Sequence, residues 1–170
     1  MQKTYKTSRL LLRPLNLKDT EFILELMNTQ GWISFIGDRN IKSIDNAQEY
    51  IRKTLGDQNI QYWIVQSERE IRGIGTISFI KRDYLEHYDL GFAFLPAFHN
   101  QGYAFEAALK VLEDKLKEDN HKSILATVKP ENQPSIKLLE KLGFRFIKKM
   151  EHEHKQLFLY GINSKSADSL

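Results

Sequence analysis

Residues 94–116 read "FLPAFHNQGYAFEAALKVLEDKL". The stretch leaves a strand, "YDLGFAFLP", crosses a short loop and enters a helix. From Ala104 the apolar side chains change period: Phe105, Ala108, Leu109, Leu112 and Leu116 share one helical face, with Lys110, Glu113, Asp114 and Lys117 off it. The joining segment, His99-Asn100-Gln101-Gly102-Tyr103-Ala104, has two readings. It is a connection that turns a strand into a helix, or its backbone holds an anion at the helix N-terminus. In the second reading the first N–H groups of the helix, which have no partner inside it, point outward together and the helix dipole adds partial positive charge. Gly102 brings no Cβ between backbone and ligand, and Ala104 keeps the first turn open.

The flanking chain places that loop in a mixed α/β domain. "SRLLLRPL" reads as a first strand closed by Pro14, which cannot donate to a ladder. "LKDTEFILELMN" is helical, with Phe22, Ile23, Leu26 and Met27 on one face and Asp19 near its start. "TQGWISFIGDRN" is expected as a loop. Ser43 or Asp45 caps a second helix with Ala47, Tyr50, Ile51 and Leu55 apolar. "QYWIVQS" and "IRGIGTISFIKR" form a hairpin across the charged turn "EREIRG". "SILATV" is a strand, "NQPSIKLLEKLGF" a helix with Pro134 at its start and Gly143 at its end, and "FRFIKKM" and "QLFLYGI" are strands. The order β-α-α-β-β-β-α-β-α-β-β predicts a mostly antiparallel mixed sheet with one central, right-handed parallel β-α-β unit around residues 88–128 and helices on both faces. Residues 163–170 read as a loose tail.

With 170 residues the chain suffices for one domain spanning residues 1–170, and is short for two. No stretch approaches the roughly 20 apolar residues of a membrane span, and the apolar run Leu10–Leu12 is too short for a signal peptide. The chain has no cysteine, which excludes thiolate nucleophiles and Cys-based metal sites and is compatible with a cytoplasmic location. A net charge of +3 suits an anionic ligand, but no aromatic-interleaved basic stripe marks a nucleic-acid partner.

Two specific phosphate motifs are absent. There is no G-x-x-x-x-G-K-S/T, and Gly73-Ile74-Gly75 lacks the third glycine and the helix of a dinucleotide fingerprint. A second candidate half-site follows the next strand: Asn132 before x-Pro can cap a helix, and Ser135 sits in its first turn. Asn132 is then either only a cap or a group that meets a ligand at the C-terminal edge of parallel strands; the Ser135 hydroxyl can donate a proton to a departing group.

"GFAFLPAFHNQGYAFEAA" resembles motif A of the GNAT acetyltransferase superfamily, whose Arg/Gln-x-x-Gly-x-Gly/Ala loop binds the acetyl-CoA pyrophosphate. "NQPSIKLLEKLGF" resembles its second helix segment, and "SRLLLRPL" and "GWISFIGDRNIKS" are similar to the RimJ/RimL-like branch, over roughly residues 7–162. The resemblance implies an acetyl-CoA-dependent N-acetyltransferase and overturns the plain-connection reading of the loop. It implies cofactor contacts at Phe92, Ala93 and Phe94, where backbone pairs with the pantetheine arm and one N–H faces the acetyl carbonyl, at His99, Asn100, Gln101, Gly102, Tyr103 and Ala104, and at Asn132. His99 and Asn100 depart from the motif, which sets Arg or Gln and often Gly there. Leu139 stands seven positions after Asn132, where many members carry a tyrosine acid, so Ser135 or water becomes the proton donor to the CoA thiolate.

The implied reaction is direct attack of an amine in a ternary complex, with a protein N-terminal amine favoured. The alternatives are a small amine such as a polyamine or antibiotic, and a catalytically silent CoA-binding module. Asp89 is chosen as base over its neighbours Glu86, His87 and Glu131 because it lies closest to the pantetheine segment; water-relayed proton loss is the alternative. Asp38, Arg39, Arg82 and Asp83 are expected on the acceptor side. His152 and His154 read as a solvent-facing pair, and no metal site is expected. A homodimer is common in the family.

Overall fold

In the computed structural model, residues 2–118 and 121–163 are described. Strands β1 (Tyr5–Lys6) and β2 (Leu10–Pro14) lead to helices α1 (Thr20–Met27), α2 (Gln30–Phe35) and α3 (Ile44–Gly56). Strands β3 (Ile60–Ser67), β4 (Gly75–Ile80) and β5 (Asp89–Phe94), helix α4 (Tyr103–Leu116), strand β6 (Ser123–Val128), helix α5 (Gln133–Lys141) and strands β7 (Arg145–His152) and β8 (Lys155–Asn163) complete the chain. The strands form one sheet in the order β1-β2-β3-β4-β5-β6-β8-β7, antiparallel except where β5 meets β6.

Strand alternation builds two cores. In β3, Trp63 and Val65 turn to the face covered by α4, with Leu10, Leu12, Val111, Leu112 and Phe144. Tyr62 and Ile64 turn to the other, against Phe22, Ile23, Leu26, Ala47 and Ile51. The anticipated faces of α1 and α3 therefore carry the second core, although Leu55 is 52% exposed. Ser43 is the α3 cap, accepting the Asn46 N–H at 3.2 Å, an arrangement that stabilises by about 1 kcal/mol. The buried face of α4 is Ala107, Ala108, Val111, Leu112, Lys115 and Leu116, leaving Phe105 and Leu109 half-buried. Lys115 lies inside because its ammonium sits over the Trp63 and Phe79 rings and pairs with Glu118 at 2.8 Å.

Two expectations need correction, on segment 29–40 and on the start of the tail. Segment 29–40 is not all loop: α2 occupies Gln30–Phe35, capped by Thr29, whose hydroxyl accepts the Trp32 N–H at 3.3 Å. Six residues containing Gly31 are too short for a readable helical period. Asp19 stands immediately before α1, as expected, and its side chain makes no cap bond to that helix. It closes a capping box on Asn16, accepting its N–H at 2.9 Å, and takes two bonds from Arg13 at 2.9 and 2.6 Å. The tail expected at 163–170 cannot begin at Asn163, which pairs with Ser123 at the end of β8; residues 164–170 lie outside the described residues.

Candidate active site

The loop between β5 and α4 is shaped by backbone conformation. Asn100 has φ 58° and Gly102 φ 79°, both left-handed, and Gly102 is the N-cap of α4 with no side-chain cap bond. The N–H groups of Asn100 through Phe105 donate to no acceptor among the described residues. They open onto a cavity of about 630 Å³ lined by Phe92, Phe94, His99, Gly102, Ala104 and Lys141, among others.

Glu106, in the first turn of α4, ties this loop to the N-terminal strand. It accepts from the Thr7 hydroxyl at 2.6 Å, from the Arg9 N–H at 3.1 Å and from Arg9 Nε at 2.7 Å. Burial would raise the Glu106 carboxyl, yet these bonds hold it below its ordinary value. The Arg9 guanidinium also donates to the Gln101 carbonyl at 3.0 Å and covers the Tyr103 ring. A Cβ on Gly102 would stand 3.3 Å from Arg9 Nη2. His99, which replaces the motif's Arg or Gln, turns back to the strand: its Nε2–H donates to the Phe94 carbonyl at 2.8 Å. Gln101 likewise turns back, donating to the Ala97 carbonyl at 2.8 Å.

Strands β5 and β6 pair at a single register position, Asp89 with Leu125, and then separate. The Leu125 N–H donates to the Tyr88 carbonyl at 2.8 Å. By the period of two, the backbone groups of Leu90, Phe92 and Phe94 turn toward β6, while Gly91 and Ala93 face β4. Phe92 thus carries its N–H and carbonyl into the gap and Phe94 its N–H, the Phe94 carbonyl being taken by His99. Asp89 stands where the gap opens, 3% exposed. It accepts the Thr127 N–H at 3.0 Å on one oxygen and Arg82 Nε on the other at 2.5 Å. Burial pushes the Asp89 carboxyl up, opposed by Arg82 and by the Thr127 N–H.

Across the gap, Asn132 caps α5 by accepting the Ser135 N–H at 3.3 Å. Asn132 and Ser135 line the 630 Å³ cavity and also a second one of about 340 Å³. Trp32, Phe35, Phe92 and Ala93 are likewise common to both. The Trp32 indole N–H is buried without a partner, a cost of about 1–3 kcal/mol that is unusual in a folded core.

The second cavity is lined by Asp38, Arg39 and Arg82, three of the four residues proposed for an acceptor, together with Asp89. Asp83 is exposed and outside its lining. Its inner surface carries the hydroxyl groups of Tyr50, Tyr62, Thr76, Ser78 and Tyr84. The reading of His152 and His154 as a solvent-facing pair is overturned. Glu153 and His154 form a tight turn at φ 48° and 59°, so the two histidines do not alternate along one strand. His152 ends β7, stacks on Tyr84 with ring centroids 3.6 Å apart and lines the cavity.

The family described as an acetyltransferase (GNAT) domain matches residues 9–145. The chain belongs to the GNAT acetyltransferases. This GNAT chain is 33% identical over 139 residues to the uncharacterized N-acetyltransferase YnaD of Bacillus subtilis strain 168, covering 82% of itself and 81% of that protein. It is 27% identical over 139 residues to the spermidine N(1)-acetyltransferase of Vibrio cholerae, covering 81% and 79% of the two chains. The crystal structure of a GNAT-family acetyltransferase from Bacillus anthracis superposes with a TM-score of 0.80 at 28% identity, covering 96% of this chain and 99% of that one.

Several residues of this GNAT site escape a reading of the sequence. Tyr84, His152 and Lys155 reach it from segments that carry no motif, and Arg9, within "SRLLLRPL", reaches the loop through Glu106 and Gln101. Among the described residues, no cluster of His, Asp and Glu could hold a metal ion, and no helix is long and apolar enough to cross a membrane.

Proposed function

We propose that this GNAT enzyme transfers the acetyl group of acetyl-CoA to a primary amine by direct attack in a ternary complex. A protein N-terminal amine is the favoured acceptor, in keeping with the RimJ/RimL-like "SRLLLRPL" and "GWISFIGDRNIKS" segments. The observation that carries the reading is the wall of Phe92, Ala93, Asn132 and Ser135 common to the two cavities. A donor in one and an acceptor in the other would meet there.

The loop fits the pyrophosphate: a row of unpaired N–H groups at a helix N-terminus, with the Arg9 guanidinium beside it, is a strong anion site. Arg9, paired with Glu106, stands beside the loop from which His99 turns away. The free edge at Phe92, continued by the Phe94 N–H, would pair with the amide groups of the pantetheine arm as an added strand does, and the Phe92 N–H is the donor for charge that develops on the acetyl oxygen. Bound acetyl-CoA supplies an activated acyl group; the protein aligns it.

Alignment alone is worth about 7–11 kcal/mol, against about 3–5 kcal/mol for a general base working at 10²–10⁴-fold. A dedicated base is therefore secondary. In this reading Asp89 is a positioning residue, since both its oxygens are engaged. The cations Arg39, Arg82, Lys129 and Lys155 around the acceptor cavity favour the neutral amine over its ammonium form. Its proton leaves to water, and Ser135 donates to the departing thiolate.

The spermidine acetyltransferase of Vibrio cholerae supports a second reading, a polyamine acceptor. Several ammonium groups need several free carboxylates, and two of the three in this cavity, Asp38 and Asp89, already hold cations. That reading ranks second. Isothermal titration with acetyl-CoA, followed by amine-dependent release of CoA thiol, tests the proposal. Micromolar binding and release support it; binding without release with any amine leaves a silent CoA-binding module, and no binding removes the cradle.

A further inference from the structure

The acceptor cavity carries more cations than its own carboxylates use. Its acidic side chains are Asp38, Asp89 and Glu153. Asp89 is held by Arg82 and Thr127. Asp38 accepts the Asn40 N–H at 2.7 Å and pairs with Lys42 at 3.5 Å. Glu153 is on the outer turn, 75% exposed, with its oxygen 3.9 Å from His152 Nε2. On the basic side, Arg82 is committed to Asp89, and Lys129 donates to the Ser34 carbonyl. Arg39 and Lys155 have no carboxylate and no hydrogen-bond acceptor among the described residues.

Those two cations share one mouth. Lys155 opens β8 and reaches over the loop between α2 and α3: its Nζ is 3.6 Å from where a side chain on Gly37 would begin. Arg39 follows two residues later and lines the same cavity, close enough to the Tyr50 and Tyr62 phenols to act on them electrostatically. Hydroxyl groups and the Asp89–Arg82 pair also line this cavity. Both side chains are exposed, so solvent screens their mutual repulsion, and an anion entering the concave site they line would meet two cations unpaired among the described residues.

We infer that the acceptor amine carries a carboxylate or equivalent anionic group, held at the cavity mouth by Arg39 and Lys155 while the amine reaches the wall at Phe92 and Ser135. The inference rests on the acetyltransferase reading above and names its substrate class. The anion is either the carboxylate of a free amino acid or an acidic side chain beside a peptide N-terminus; both present an amine and an anion a few bonds apart. The same cations that hold the anion disfavour the ammonium form of the amine, so recognition and activation share one source.

The test compares matched acceptors in a thiol-release assay, with acetyl-CoA titrated in parallel. Alanine is set against alaninamide, an alanine-glutamate peptide amide against its alanine-glutamine counterpart, and spermidine serves as the cationic probe. In at least one pair the anionic member should show a kcat/KM about tenfold or more higher, and the responding pair identifies the source. Arg39→Gln should narrow that ratio, and Arg39→Glu combined with Lys155→Glu should turn preference toward spermidine. Lys53→Gln, on the exposed side of α3, should change neither rate nor ratio. Equal rates within both pairs, spermidine as the best wild-type acceptor, or an Arg39→Gln effect equal on both members would overturn the inference. Bound acetyl-CoA with no amine accepted also overturns it while sparing the cradle, whereas failure of acetyl-CoA to bind sinks the underlying function with it.

Discussion

Asp89 accepts the Thr127 backbone N–H at 3.0 Å, in the position where the next rung of the parallel ladder would carry that N–H to the Leu90 carbonyl. A side chain thus ends the β5–β6 pairing and leaves the edge of β5 open. The bond is anchored from behind by Arg82. The gap between the strands follows from a carboxylate, and the two cavities meet across it.

Asp89→Ala should therefore act on geometry first. Breaking a buried pair from one side costs about 3–5 kcal/mol, and the lower end applies because Arg82 is 29% exposed. Asp89→Asn keeps an acceptor for Thr127 and should lose less. Urea denaturation ranks the two. Turnover of Asp89→Asn should fall with the shape of its pH profile retained; disappearance of the acid limb would make Asp89 the base instead.

Gly102→Val tests the cradle. At φ 79° a β-branched residue is strained, and its Cβ would crowd Arg9. We expect a loss of about 1–2 kcal/mol in stability and a weakening of acetyl-CoA binding of about tenfold or more. Calorimetry showing wild-type affinity would mean that the loop holds no phosphate.

Glu106→Gln links stability to pH. The folded state holds the Glu106 carboxyl below its ordinary value of 4.5, so the unfolded chain binds the extra proton. The contribution is present above about pH 4.5 and is lost as pH falls through the folded value. The variant should be less stable at neutral pH, and its deficit should shrink near about pH 4. Acetyl-CoA affinity should drop too, because Arg9 loses its anchor; unchanged affinity would separate Arg9 from the site.

His152→Ala and Ser135→Ala should separate amine binding from turnover. Removing the ring stacked on Tyr84 should raise KM for the amine and leave acetyl-CoA affinity within about twofold. Ser135→Ala should lower kcat about tenfold or more with little change in either affinity. If both variants behave alike, His152 has no role in amine binding separate from turnover.

The sequence exposes the local parts of this site and hides the rest. Gly102 before a helical period, Asn132 before x-Pro, and the strand–helix–strand order are local signals, and each stands where it was expected. Arg9 was unreadable because its partner Glu106 is 97 residues away and joins it only through the packing of β2 on α4. His152 looked like half of a surface pair because the sequence does not show the turn at Glu153–His154 that directs it onto Tyr84. The buried character of Asp89 was equally hidden. A charged residue at the start of a strand ordinarily faces water, and only the β5–β6 separation makes it a wedge.

The two cavities share an inner wall but have different rims: Arg39, Glu153 and Lys155 on one, Asn100, Gly102 and Lys141 on the other. A molecule at one rim does not block the other, so neither partner has to wait for its counterpart to leave. Product inhibition should record this. CoA should compete with acetyl-CoA alone and act noncompetitively toward the amine, and an inhibitor that joins both halves would have to cross the shared wall at Phe92.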